Sequence, residues 1–102
     1  YANDVISLRV QYFSQLMHLS YSDIKFRKMK SRWGSCNSNR VLTFNTELVK
    51  IKKELIDYVI VHELAHLQHM NHSKKFHSLV DKYLPNSKFY HQELKKIKIF
   101  TH

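Results

Sequence analysis

Between Glu54 and Met70 the chain reads ELIDYVIVHELAHLQHM, a run that is apolar on nearly every side when wound as a helix. A helix with that pattern is buried as the central element of a domain, and the rest of the chain has to wrap around it. At 102 residues there is material for one modest core, so the expectation is a single domain over 1–102 whose site shares that core. The start at Tyr1 rather than Met is compatible with the C-terminal part of a longer protein.

Inside this run, His62 and His66 are four residues apart. On a helix they stand one turn apart on one face, where two imidazoles can hold one tetrahedral zinc. Glu63 lies beside the first histidine and need not bind the metal. A carboxylate there can accept the proton of a water that the metal activates, which suits hydrolysis. Burying a charged Glu63 among Leu55, Val59, Ile60, Leu64 and Leu67 would otherwise be costly.

A third ligand has to come from outside this pair. His72 is the leading candidate, because it follows Asn71, where the chain can turn and point an imidazole back. His69 stays near the same helical face, but three positions on one straight helix rarely converge on one ion, and its other roles are a supporting hydrogen bond to a ligand or donation to an oxyanion. Glu93, His77 and His91 remain as alternatives.

The sole cysteine, Cys36, excludes an internal disulfide framework and any site built on several thiolates. Seventeen Lys and Arg against eight Asp and Glu give a formal charge of +9, which suits a nucleic acid or another acidic partner, although no zinc finger or other nucleic-acid motif accompanies it. No apolar run reaches the roughly 18 to 20 residues of a membrane span, and no secretory signal is evident, so a cytoplasmic location is expected.

Around the central helix, residues 3–19 place Val5, Leu8, Tyr12, Leu16 and Leu19 at helical spacings, which predicts an amphipathic helix facing the core through that stripe. Residues 21–29 and Val41 to Asn45 read as strands, with the polar segment Lys30 to Asn39 as a loop or wide hairpin joining them in antiparallel fashion. Asn71 is expected to end the central helix and Ser73 to cap the next, with Phe76, Leu79, Val80 and Tyr83 as its apolar stripe. Pro85 breaks that helix, and residues 87–99 form a last one with Tyr90, Leu94 and Ile97 inward.

Three stretches, Arg32-Trp33-Gly34-Ser35-Cys36, the helix from Asp57 to His66, and Asn71-His72-Ser73 followed by Phe76, resemble the YgjP-like family of metal-dependent hydrolases, and more distantly SprT-like and other zincin proteases. The resemblance covers about residues 20–85. It implies an α+β, gluzincin-like domain with a short antiparallel sheet packed against the active helix. It also implies His62, His66 and His72 as zinc ligands and Glu63 as general base. Arg32, or backbone donors near Gly34, would position substrate or stabilise its oxyanion. The longer metzincin pattern does not fit, since His69 stands where that pattern has Gly. Family members commonly carry extra sequence before this domain.

The expectation is thus a zinc-dependent hydrolase, a metallopeptidase acting on a peptide or protein. The competing reading is a basic nucleic-acid- or protein-binding domain with a structural or vestigial zinc site; it requires a closed four-ligand site, whereas hydrolysis requires an open position.

Overall fold

In the computed structural model, which describes residues 2–97, a first helix α1 (Ala2–Met17) leads into three strands, β1 (Asp23–Arg27), β2 (Gly34–Cys36) and β3 (Val41–Asn45). A 3-10 turn over Thr46–Lys50 then feeds the central helix α2 (Lys53–Ala65), followed by α3 (Lys74–Tyr83) and α4 (Ser87–Lys95). Residues 98 and 99, expected in the last helix, lie outside the described residues.

The helix α2 occupies the position its sequence demands. Leu55, Ile56, Tyr58, Val59, Ile60, Val61, Leu64 and Ala65 are all buried, and α1, α3, α4 and β2 each pack on it. Burial of each large apolar side chain contributes on the order of 2 kcal/mol, enough to outweigh the modest helix propensity of its β-branched residues.

α1 packs through a different face from the expected one. Ile6, Val10, Phe13 and Met17 enter the core, while Val5, Leu8, Tyr12 and Leu16 are between 44% and 65% exposed. Both stripes have helical spacing, so periodicity alone does not choose between them. One cross-link specific to the observed face is Arg9, which makes two hydrogen bonds to the Asp57 carboxylate of α2 (3.1 and 2.9 Å) and lies over the Tyr12 and Phe13 rings.

The fold is α+β, but its sheet is mixed rather than antiparallel. The strand order is β1-β3-β2; β1 runs parallel to β3, and β2 antiparallel to it. The expected loop 30–39 conceals β2, so the chain reverses twice between the two longer strands and brings them out parallel. The hairpin is instead β2–β3, closed at Asn37 to Arg40 by Asn37 Oδ1, which accepts from the amides of Asn39 and Val41, and by Arg40 at φ 63°. Leu42 and Phe44 of β3 are fully buried in the core, and β2, an edge strand of the sheet, packs on α2.

The end of α2 also differs from expectation. Amides 66, 67 and 68 bond three residues back, to Glu63, Leu64 and Ala65, so the helix tightens into a 3-10 turn and stops at Ala65 rather than running to Asn71. Asn71 is not in the left-handed region. Ser73 does cap α3, its hydroxyl accepting from Phe76 N, and Phe76 and Val80 of the expected stripe are buried. Among the described residues no helix is long and apolar enough to cross a membrane.

Candidate metal centre and cleft

Helical spacing on α2 sets the His62 and His66 rings 5.0 Å apart, edge to face. The turn after Ala65 and the cap at Ser73 then return His72 to them, its ring 5.2 Å from His62 and 4.9 Å from His66. All three rings rest on Phe76, with centroids 5.0, 4.6 and 4.9 Å from it, and Phe76 itself is 1% exposed. Ligand spacing does not convey that aromatic floor; its sequence signals are the Ser73 cap three residues before Phe76 and the place of Phe76 in the apolar stripe of α3.

One ring nitrogen from each of His62, His66 and His72 lies within 4.8 Å of the others. His66 Nε2 and His72 Nε2 are 3.2 Å apart. Two nitrogens bonded to one tetrahedral zinc stand about 3.3 Å apart, so this pair already has the spacing of an edge of such a site. Three neutral imidazoles are a donor set that suits zinc, and the residues fit the group.

Outer hydrogen bonds orient the rings. His66 Nδ1–H donates to the His69 carbonyl (3.2 Å), which leaves Nε2 with its lone pair available to a metal. His69 thus reaches the site through its backbone, and its imidazole lines none of the cavities bordering the three histidines. His62 Nδ1–H donates to Glu63 Oε2 (3.2 Å). Burial pushes the His72 imidazolium pKa down, as do His62, His66 and His77, with Glu63 opposing; the ring is thereby kept in the neutral form that a metal requires.

Glu63 is buried, with its side chain against β2. The close approach is made possible by Gly34, where a Cβ would stand 3.1 Å from Glu63 Cγ. A cavity of about 430 Å³ opens beside it, lined among others by Arg32, Gly34, His62, Glu63 and His72. A second, of about 380 Å³, continues along β2 past Ser35 and Cys36 to His66 and Met70. Burial, and then the Glu63 charge, push the Cys36 thiol pKa up, so it stays protonated and is a poor nucleophile.

Sequence reasoning passed over two features. Asn45, fully buried, donates from Nδ2 to the carbonyls of Met29 (2.9 Å) and Arg32 (2.8 Å), while its Oδ1 accepts from Glu47 N. It thereby ties the Arg32-Trp33-Gly34 segment to the end of β3. The hydroxyl of Tyr58, one turn before His62, shares a hydrogen bond with His91 Nδ1 (3.1 Å), and Tyr58 lines the same cavity as Glu63. Burial, helped by Glu63 and Asp81, pushes the Tyr58 pKa up to about 12. Among the described residues His91, an alternative ligand by sequence, does not join the three-histidine group, and neither do His77 and Glu93.

A family model for the YgjP-like metallopeptidase domain matches residues 1–97. The chain belongs to this family. Among solved structures, the metallopeptidase zymogen abylysin of Pyrococcus abyssi has the same fold, with a TM-score of 0.80 at 18% identity over 89% of this chain and 92% of that one. The metallopeptidase zymogen jannalysin of Methanocaldococcus jannaschii gives a TM-score of 0.74 at 27% identity over the same shares. No curated protein sequence matches this YgjP-like chain. Its family and fold are those of a peptidase that uses a divalent metal.

Proposed function

We propose that this YgjP-like domain is a zinc-dependent peptidase in which His62, His66 and His72 hold the metal and Glu63 is the general base. The observation that carries the reading is the gathering of three imidazole nitrogens within 4.8 Å beside a buried carboxylate at the wall of an open cleft. With three protein ligands among the described residues, the group would leave a bound zinc one position for solvent or substrate.

When bound there, zinc supplies Lewis acidity, acidifying a water and polarising the scissile carbonyl. The protein's own residues do the rest. Glu63, held by His62 Nδ1 and pressed against Gly34, accepts the proton of the attacking water and passes it to the departing amine. β2 is an edge strand of the sheet and borders the cleft, so an extended peptide can lie along its unpaired backbone, with Arg32 beside it.

The test is peptide hydrolysis by the zinc-loaded protein and by its Glu63→Gln variant. The parent cleaves and is silenced by a chelator, while the variant keeps its metal and loses about 100-fold or more in kcat. Equal turnover by the two proteins would rule out Glu63 as the base.

A further inference from the structure

Beyond the three-histidine cleft, a third cavity, of about 480 Å³, opens between the segment after β1 and helix α4. It shares Ser31, Trp33, His91 and Leu94 with the cavity that holds Glu63, so the two form one continuous groove. Its apolar surface comes from Trp33, Leu94 and Ile97. Lys30 lines it from one wall and Lys95 from the other, and no acidic side chain does.

Some cations of the chain are paired with carboxylates. Arg9 is paired with Asp57, Lys50 with Glu47 and Lys96 with Glu93. Lys30 and Lys95 have no carboxylate partner among the described residues. Two ammonium groups on opposite walls of an aromatic and aliphatic cavity are complementary to a side chain with an apolar stem and an anionic tip.

We infer that this cavity is a specificity subsite for a carboxylate-bearing residue of the substrate, which lays its methylenes on Trp33 and Leu94 and sets its carboxylate between Lys30 and Lys95. That the occupant is a peptide rests on the peptidase reading; the preference for a carboxylate rests on the charge and shape of the cavity. The carboxylate has two sources, a glutamate side chain or the free C-terminus of the peptide.

Trp33 is the only tryptophan, so its fluorescence reports occupancy directly. The titration uses zinc-loaded Glu63→Gln protein, in which binding is read without turnover, and three probes. These are an acetylated and amidated Ala/Glu hexapeptide, its Ala/Gln isostere, and the Ala/Gln peptide with a free C-terminal carboxylate. A carboxylate probe binds about tenfold more tightly than the amidated Ala/Gln peptide, and the preference disappears when Lys30→Gln and Lys95→Gln are combined in the same background. Tight binding of the Ala/Glu peptide identifies a side-chain site, and tight binding of the free-acid peptide a C-terminal one. Equal affinity for all three probes, or a preference that survives the double lysine substitution, overturns the inference. Cleavage of peptides by the parent protein answers the peptidase question separately.

Discussion

Gly34 and Glu63 fit together with no room to spare: a Cβ on Gly34 would meet Glu63 Cγ at 3.1 Å, with Phe44 Cδ1 and the Thr43 carbonyl behind it at 3.3 Å. Gly34 is not at positive φ, so the constraint is one of space rather than of backbone conformation. The edge strand and the acidic side chain of α2 therefore set each other's position.

Gly34→Ala should displace the Glu63 carboxylate by a few tenths of an ångström, because Phe44 and the β3 backbone are fixed in the core. The expected cost in stability is about 1 to 2 kcal/mol, with a much larger proportional loss in kcat than in metal content. Thermal unfolding, zinc content and peptide hydrolysis measured together check this; full turnover in a folded variant would show that Glu63 is not held by Gly34.

His72→Ala should weaken zinc retention much more than His69→Ala, since His69 contributes its carbonyl, which any residue retains. Loss of one of three ligands is expected to lower affinity by more than the roughly 10- to 100-fold typical of an outer hydrogen bond. Competition with a chelator of known affinity gives the order, and the reverse order would remove His72 from the ligand set.

Asn45→Ala removes three side-chain hydrogen bonds and leaves the Met29 and Arg32 carbonyls without their buried donor. The expected destabilisation is about 2 to 4 kcal/mol, and the Arg32-Trp33-Gly34 segment should loosen with it. Denaturant unfolding measures the first, and Trp33 fluorescence at low denaturant the second. A change below about 0.5 kcal/mol would mean that the segment is held by other contacts.

What the sequence could and could not convey follows from where each signal resides. His62, Glu63 and His66 were readable because spacing on a helix is a local property, and the all-round apolar pattern placed that helix in the core. The Ser73 cap was local too. By contrast, α1 carries two apolar stripes of equal spacing, and Asp57, 48 residues from Arg9, is one long-range contact that distinguishes the buried one. β2 is three residues long and sits among turn formers, so only its pairing with β3 reveals it. Asn45 looks like any polar residue at a strand end, because the carbonyls it bonds are 13 and 16 residues away. The early stop of α2 was hidden for the same reason, as Leu67-Gln68-His69-Met70 has good helix-forming composition and the turn that ends the helix serves to bring His72 home.

An open three-histidine zinc site beside Glu63 should show directly in an anomalous difference map at the zinc edge from crystals of the zinc-loaded protein. One ion is expected, bonded to His62, His66 and His72 at about 2.0 to 2.1 Å, with its fourth position facing the Glu63 carboxylate and free of protein ligands. A fourth protein ligand closing the site, or an ion bound elsewhere, would contradict it.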